Sequence, residues 1–336
     1  MFVLPKVELI EQGPGKEGML KHIELAGRTA YKSEDKITED SAKKFVDMLL
    51  ARGHLSPLEH GTVYYKVPDR YDGSDLRDII KWMHGNPYSW FSPIPLDESS
   101  WYFVTNYRVL IENPWIADKL ERYGTQCDWE PLFMQRMTLR IICNRGVSHE
   151  LVRHRKFSFT QESTRFCNYT KDKFDKDITW ILPCWIDKKW INLTNLERAS
   201  GDVATFLGSL GDAKRAYFNL IAQGWRPEQA REILPNALKT EIVMTGFLDD
   251  WVDFVRKRSE HVHPEMKVIV DQIREYVNIQ RSKYYAKERK EYKKTWEAFE
   301  EAMKNYTPTL EKIEVIKDDI REGLSKNDGR TGQDNS

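Results

Sequence analysis

The sequence has no excess of charge of either sign. Lysine and arginine together number 52, as do aspartate and glutamate, so the formal net charge of the 336-residue chain at pH 7 is zero. Proteins that hold nucleic acid or membranes by bulk electrostatics usually carry a basic excess. The balance therefore disfavours that class, and any basic character has to be local.

Cysteine is scarce and long apolar runs are missing. The four cysteines (Cys127, Cys143, Cys167 and Cys184) lie far apart and form no CxxC pair, so neither a zinc site nor a disulfide framework is indicated. No apolar run approaches the roughly 18 residues of a membrane helix, and the N-terminus lacks the hydrophobic segment of a signal peptide. We expect a soluble, cytoplasmic protein without a metal site.

Hydrophobic periodicity predicts both strands and helices. The predicted strands cover residues 3–10, 62–67 and 240–247, with another near 101–109. The predicted helices cover residues 134–152, 211–223, 228–234, 249–258 and 264–277, and one more begins near Asp40 or Ser41. Residues 69–130 hold many turn formers, and we interpret them as an elaboration. Residues 281–305 alternate charges and place aromatic residues on one helical face, whereas residues 326–336 are polar and predicted to be disordered.

The stretch from Arg153 to Arg165, RHRKFSFTQESTR, is the most distinctive in the chain. It combines four cationic side chains, the imidazole of His154 and several hydroxyls with a single carboxylate, that of Glu162. Arginine presents a planar fork of donors that matches phosphate bidentately, and hydroxyls add short hydrogen bonds. The composition predicts a receptor for a small ligand with several negative charges.

Other interpretations of the same region are weaker or stay open. His149 and His154 resemble a zinc-protease pair but are five residues apart, about 140° around a helix, so a shared metal is not expected. Ser163 lies in no GxSxG elbow, which disfavours a serine hydrolase. The basic run Arg153–Lys156 alone is equally compatible with a nuclear-localisation or RNA-binding patch.

Taken together, several segments resemble the flavin-dependent thymidylate synthases. The family signature is RHR, seven residues and then Ser, and it matches Arg153-His154-Arg155 and Ser163. Further matches, in family order over residues 28–278, are Arg28–Ser33, Glu59-His60 with Thr62, Ala230-Arg231 to Leu234-Pro235, and Arg258 with His263. The chain departs from the family at Thr160, usually Asn, at Phe166, usually Tyr, and at residues 264–267, where PEMK replaces the common AQWE.

The resemblance implies an activity and an architecture. The activity is FAD-dependent reductive methylation of dUMP to dTMP, with methylenetetrahydrofolate as one-carbon donor and NADPH as reductant. The architecture is an α+β fold, a twisted and mainly antiparallel sheet flanked by helices, in a homotetramer whose active sites are shared between subunits. Residues 1–280 would form the catalytic domain with residues 69–130 inserted, residues 281–325 a charged helical extension, and residues 326–336 a disordered tail.

The resemblance also implies roles for individual residues. Arg258 would be catalytic, since a cation at the uracil carbonyl edge stabilises developing negative charge. The residues implied to bind substrate are Glu150, Arg153, Gln161, Glu162, Ser163, Thr164, Arg165, Arg258 and, from another subunit, Arg231. The residues implied to bind the flavin are Ser33, His60, Thr62, Arg153, His154, Arg155, Lys156, Gln161 and His263. Cys167 is expected to be structural.

Two alternatives stay open. The first is flavin-dependent C5-alkylation of another pyrimidine nucleotide, UMP or dCMP, because the phosphate and flavin groups would be the same. From a different class, a nucleic-acid-binding protein would use the Arg153–Lys156 patch, bind with steep salt dependence and carry no chromophore.

Overall fold

The computed structural model describes residues 1–68, 73–91, 100–127, 135–191 and 201–283. The chain divides into two compact units, Met1–Ile279 and Gln280–Ser336. The sheets and cores belong to the first unit. The predicted C-terminal extension, residues 281–325, lies outside the described residues except for residues 281–283. The predicted tail, residues 326–336, and parts of the predicted insertion also lie outside them. None of the described helices is long and apolar enough to cross a membrane.

Strands and helices alternate along the described chain. The strands are β1 (Phe2–Val3), β2 (Lys6–Ile10), β3 (Thr62–Pro68), β4 (Trp90–Phe91), β5 (Ser100–Asn106), β6 (Thr125–Gln126), β7 (Arg136–Asn144), β8 (Ser158–Gln161), β9 (Trp180–Ile181) and β10 (Lys239–Phe247). The helices are α1 (Gly15–Tyr31), α2 (Ser41–Ala51), α3 (Gly73–His84), α4 (Tyr107–Glu112), α5 (Pro114–Tyr123), α6 (Arg145–Leu151), α7 (Gly201–Ala222), α8 (Pro227–Ala230) and α9 (Leu248–Lys257). Residues 264–283 are helical, and the part that belongs to the first unit, residues 264–279, is α10.

The main sheet has four antiparallel strands in the order β2-β7-β10-β8. β7 and β10 pair along their whole length, from Asn144 opposite Lys239 to Arg136 opposite Phe247. Alternate residues of a strand face one side of a sheet, and in β7 that alternation places Met137, Leu139, Ile141 and Cys143 in a core shared with α9 and α10. Their other neighbours in this core include Trp251, Phe254, Ile269 and Ile273.

A second antiparallel sheet, in the order β4-β5-β3-β6, covers a separate core. This core is filled from α1, α2, α3 and α5, with fully buried Ile23, Leu49, Ile79 and Ile116. A third cluster surrounds the parallel pair β1-β9 and α7. The mixed helices and antiparallel sheets agree with the expected α+β class, while the insertion and the C-terminal extension stay predictions.

The helix predicted over Met134–Val152 is wrong. Met134 lies outside the described residues, residues 136–144 form the central strand β7, and only Arg145–Leu151 are helical. The apolar residues of β7 recur every second position, not every third or fourth, so tertiary pairing with β2 and β10 selects the strand. Asn144 ends the strand and caps α6, because its side-chain oxygen accepts a hydrogen bond of 2.8 Å from the Val147 amide.

The other predicted elements are present with shifted ends. The opening strand is interrupted at Pro5, because proline lacks the N–H that a ladder needs. The strand predicted near residues 101–109 ends at Asn106, whose side chain caps α4. Helix α1 was not predicted, although Met19, Ile23 and Ala26 are buried at helical spacing. Its three glycines, at positions 15, 18 and 27, weaken the helical signal.

Candidate functional site

Arg258 connects the end of α9 to the signature motif after α6. Its Nε donates to Nε2 of His154 at 2.9 Å, and its Nη1 lies 3.1 Å from Oε2 of Glu150. A third, longer contact joins Nη2 to the Glu150 carbonyl oxygen at 3.5 Å. Three of the predicted site residues, separated by up to 108 positions in the chain, therefore share one hydrogen-bonded group.

His154 is neutral in this group. Burial and the adjacent Arg258 guanidinium lower the pKa of the imidazole to about 4. The ring also packs edge-on against Phe254, with 4.6 Å between the ring centroids. Since Nε2 accepts from Arg258, the single ring proton belongs on Nδ1.

The flanking cations of the motif point outward. Arg153, Arg155 and Lys156 are exposed. Lys156 lies 3.0 Å from Asp250, and that hydrogen bond raises the pKa of its ammonium group. Neither Arg153 nor Arg155 forms an ion pair with a carboxylate in the described part of the chain, so both guanidinium groups are open to an anionic ligand.

A second group joins the segment after β8 to the segment after α8. Nη1 of Arg231 donates to the Thr164 hydroxyl at 3.0 Å, and Nε of Arg165 lies 3.7 Å from Glu228 on α8. Arg165 is 61% exposed. The Ser163 amide donates to the Ala30 carbonyl at 3.0 Å and so fixes this segment to α1. The role predicted for Arg231, binding the phosphate at another subunit's site, stays a prediction.

Gln161 and Glu162 are both engaged inside the protein. The Gln161 amide donates to the hydroxyls of Ser148 at 2.9 Å and Thr240 at 3.1 Å. Glu162 is buried and accepts from the Lys239 ammonium at 3.1 Å. Gln161 keeps part of its surface accessible, whereas Glu162 serves mainly to neutralise Lys239.

A buried ionic cluster beside Glu162 was missed by the sequence reasoning. Glu241 on β10 contacts Lys32, Arg140 and Lys239. Burial alone would raise the pKa of Glu241, but Lys239 and Lys32 outweigh it and hold the pKa at about 2. A lysine and a glutamate two positions apart in a strand share one face, so their spacing in β10 was the available signal.

His60 lies inside the protein and not at its surface. It is fully buried, its Nδ1 is 2.7 Å from the Thr245 hydroxyl, and its Nε2 is 2.9 Å from the Thr160 hydroxyl. In this arrangement His60 offers no exposed atom to a flavin. The predicted contact stays a prediction, and it would require one of these hydrogen bonds to open.

The remaining flavin candidates are dispersed. Thr62 is buried, and its hydroxyl lies 3.3 Å from Nη1 of Arg136. Ser33 lines a cleft at the end of α1. His263 is half-exposed, with its ring centroid 5.8 Å from that of Trp185. No hydrogen bond in the described structure connects these three residues to the group formed by Arg258, His154 and Glu150.

A cleft with a volume of about 500 Å³ lies beside Gln161. Its walls include the aromatic rings of Tyr31, His54 and Phe159 and the polar side chains of Thr160, Gln161 and Arg108. The Tyr31 hydroxyl and Nδ1 of His54 are 2.7 Å apart, which fixes both rings. We call this space the Gln161 cleft, and its flat walls suit a planar ring.

Two further candidates for chemistry are the thiol of Cys167, which is close to the signature motif, and groups of metal-ligating side chains. Cys167 is buried, and burial raises the pKa of its thiol to about 12, so it holds no thiolate at neutral pH. Among the described residues, no group of three or more His, Cys, Asp and Glu side chains is arranged to hold a metal ion.

The fold is that of an α+β protein, and cationic side chains from separate segments meet in the groups described above. Residues 107–281 match the family model described as thymidylate synthase complementing protein, Thy1. The match covers 175 of the 336 residues. The chain therefore belongs to the family of flavin-dependent thymidylate synthases.

Named relatives match over a shorter length. A flavin-dependent thymidylate synthase from Corynebacterium aurimucosum is 34% identical over 131 residues, which cover 37% of this chain and 50% of the relative. One from Corynebacterium glutamicum is 32% identical over 136 residues, covering 38% and 50%. The chain thus spans about half the length of the curated relatives it matches.

A solved structure overlaps more of the chain with less similarity. It is a UMP/dUMP methylase, PolB, from Streptomyces cacaoi bound with 5-Br dUMP, and it is 15% identical to this chain. The overlap covers 81% of this chain and 89% of that chain at a TM-score of 0.34, a likeness too low to support an argument.

Proposed function

We propose that this protein methylates dUMP at C5 to give dTMP. FAD would be its redox cofactor, methylenetetrahydrofolate the one-carbon donor and NADPH the reductant. Family membership supports the reaction class. The observation that carries the proposal is the contact between Arg258, His154 and Glu150, because it joins the late arginine of the family pattern to its signature motif.

The residues present fit a flavin dinucleotide. Its pyrophosphate carries negative charge, and Arg153 and Arg155 present exposed guanidinium groups with no carboxylate partner in the described chain. A cationic environment also favours an anionic reduced flavin, which is how a protein adjusts this cofactor's electronics. When bound, FAD supplies the electron transfer that the methylation requires. The further residues that the resemblance assigns to its site are Ser33, His60, Thr62, His154, Lys156, Gln161 and His263.

Arg258 would act on the pyrimidine. A guanidinium has five N–H donors, and its contacts with His154 and Glu150 orient the group while leaving other N–H bonds free. A donor held in place before reaction stabilises charge that develops at a uracil carbonyl as C5 becomes nucleophilic. The neutral state of His154 matters here, since an imidazolium would repel the guanidinium.

The phosphate of the nucleotide would lie between Arg165 and Arg231. Arg165 is exposed, and Arg231 is turned toward the same segment by its hydrogen bond with Thr164. With the Ser163 and Thr164 hydroxyls these guanidinium groups form a charge-assisted donor set suited to a dianion. We also propose a homotetramer whose active sites are shared between subunits, as the family resemblance implies.

The proposal is tested on the purified full-length protein by absorbance and turnover. We expect a flavin spectrum that changes as dUMP is added, and dTMP formation from dUMP that exceeds turnover of UMP and dCMP. Faster methylation of UMP or dCMP would reassign the substrate. A colourless protein that does not take up FAD and binds oligonucleotides with steep salt dependence would overturn the proposal in favour of nucleic-acid binding.

A further inference from the structure

A cleft with a strong excess of positive charge lies at the C-terminal end of α1. Its volume is about 480 Å³. Six of the side chains that line it are cationic, and one, Asp35, is acidic. We call it the basic cleft. No role in the proposed reaction has been given to its cations.

Three of these cations are free for a ligand. Lys36, Arg52 and Lys171 are exposed and form no ion pair with a carboxylate in the parts of the chain that the structure describes. The other three are engaged: Arg28 with Glu24 at 2.7 Å, Lys32 with Glu241 at 2.5 Å, and Lys173 with the Tyr31 and Lys32 carbonyl oxygens at 3.3 and 3.0 Å. A neutral protein that gathers unpaired cations in one concavity has a site for an anion.

The arrangement of the free cations favours separate carboxylates over a phosphate. Lys36 ends the short helical turn Glu34–Lys36, Arg52 follows α2, and Lys171 precedes the turn Asp172–Phe174, so the three charges come from separate parts of the chain. Phosphate sites usually combine convergent backbone amides at a helix N-terminus with bidentate arginine. Here the adjoining helix presents its C-terminal carbonyl groups, which Lys173 already binds.

The apolar walls favour a ligand with methylene groups between its charges. Phe45 and Met48 from α2 line the same cleft. A flexible chain can place its carboxylates on the three free cations and its methylenes on these two side chains. An oligo-γ-glutamate chain has this alternation of charged and apolar groups.

The basic cleft adjoins the Gln161 cleft. Tyr31 lines both. Its ring is fixed by the His54 contact and by Phe166, with 5.5 Å between the Tyr31 and Phe166 centroids. A ligand with a flat ring in the Gln161 cleft therefore reaches the free cations by passing one aromatic side chain.

We propose that the basic cleft binds the oligo-γ-glutamate tail of the folate co-substrate, whose ring portion occupies the Gln161 cleft. The inference rests on the proposed function, which supplies the folate. Lys36, Arg52 and Lys171 are then specificity-determining residues that favour folates with several glutamates over those with one.

The test compares folates with one and five glutamates. Binding of each tetrahydrofolate to the FAD-loaded, full-length protein is measured by calorimetry, beside dUMP turnover. A contact between exposed charges contributes little by itself, but a pentaglutamate makes several such contacts. We therefore expect the pentaglutamate to bind about tenfold tighter than the monoglutamate. The difference should decrease at high salt, which screens the charges. Lys36→Gln with Lys171→Gln should bring the ratio of the two dissociation constants close to one.

The matched control removes two charges elsewhere. Lys16 and Lys44 are exposed, lie outside both clefts and form no ion pair in the described chain, so the paired change Lys16→Gln and Lys44→Gln should keep the ratio. Equal binding of both folates to the unmodified protein, or a ratio that survives loss of Lys36 and Lys171, would overturn the inference. So would a cleft variant that loses FAD instead, because the cations would then serve the dinucleotide. If the unmodified protein binds the pentaglutamate more tightly but does not convert dUMP, the proposed reaction is wrong and the basic cleft still binds the glutamate tail.

Discussion

The guanidinium of Arg258 and the imidazole of His154 are joined by a hydrogen bond of 2.9 Å between residues 104 positions apart. The bond requires a neutral ring with a free Nε2, and burial together with the charge of Arg258 ensures that state. Arg258 therefore helps to keep His154 neutral, and the neutral ring in turn orients the Arg258 guanidinium. A change in the protonation of His154 would change the orientation of Arg258.

Replacement of Arg258 by alanine should lower turnover more than cofactor binding. Loss of one preorganised donor typically lowers the rate by about 10²–10³-fold. Arg153 and Arg155 remain to hold FAD, so the flavin absorbance of the purified variant should stay near that of the unmodified protein. Arg256→Ala is the matched control, because Arg256 lies on the same helix, is exposed and pairs only with Asp253 among the described residues. Equal losses of flavin and turnover would contradict the role given to Arg258.

Replacement of Arg165 by alanine should weaken the binding of dUMP. A charge-assisted hydrogen bond contributes about 1.5–3 kcal/mol, and the dissociation constant should rise accordingly. Titration of dUMP monitored through the flavin spectrum measures the change. Arg215→Ala provides the control, since Arg215 is an exposed residue of α7 paired with Asp212. An unchanged affinity in Arg165→Ala would remove Arg165 from the phosphate site.

The free energy of unfolding should decrease as the pH is lowered, because His22 must then take up a proton in a buried position. Burial, with a smaller effect of Arg136, lowers the pKa of His22 from 6.5 to about 4. The unfolded chain therefore binds the proton first, so this contribution is complete above pH 6.5 and is lost as the pH falls toward 4. The shift corresponds to roughly 3 kcal/mol in the free energy of unfolding.

Denaturant unfolding at several pH values isolates that contribution. His22→Gln, which cannot titrate, should show a shallower loss of stability between pH 6.5 and pH 4 than the unmodified protein. His84→Gln, at an exposed position of α3, should keep the original slope. Identical slopes in all three proteins would mean that folding does not lower the pKa of His22.

Gly246→Ala should destabilise the fold beneath the signature motif. An added methyl group at this position of β10 would overlap the ring of Phe157, which directly follows Lys156. Overpacking of this kind costs about 1–3 kcal/mol, visible as a lower melting temperature. Gly208→Ala on α7 meets open space, and removal of a glycine from a helix should leave stability equal or higher by about 0.5–1 kcal/mol. Similar melting temperatures for both variants would show that Phe157 moves aside freely.

The sequence allowed prediction of most elements whose periodicity is local. Strand β10 and helices α2 and α9 follow from their own apolar spacing and end signals. Strand β7 was mistaken for a helix because its identity depends on pairing with β2 and β10, which no local pattern records. Helix α1 was missed because glycines weaken its propensity, and packing against Phe45 of α2 compensates for them.

The site could be predicted by residue type but not by contact. Separate motifs pointed to Arg258, His154 and Glu150, yet only folding brings α6 and α9 together. The burial of His60 depends on Thr160 and Thr245, each at least 100 positions away, and was not foreseen. The ionic cluster around Glu241 was missed for the same reason, since its three cations come from separate elements.

Thr245 on β10 connects this strand to its surroundings through two side-chain hydrogen bonds. Its hydroxyl meets both Nδ1 of His60 and, at 2.7 Å, the hydroxyl of Thr138 on the neighbouring strand. β10 is thus held by backbone pairs on its two edges and by side chains across its face. Amide hydrogens at the centre of this strand should exchange with deuterium only when the whole domain unfolds, which makes their exchange rate a direct measure of global stability.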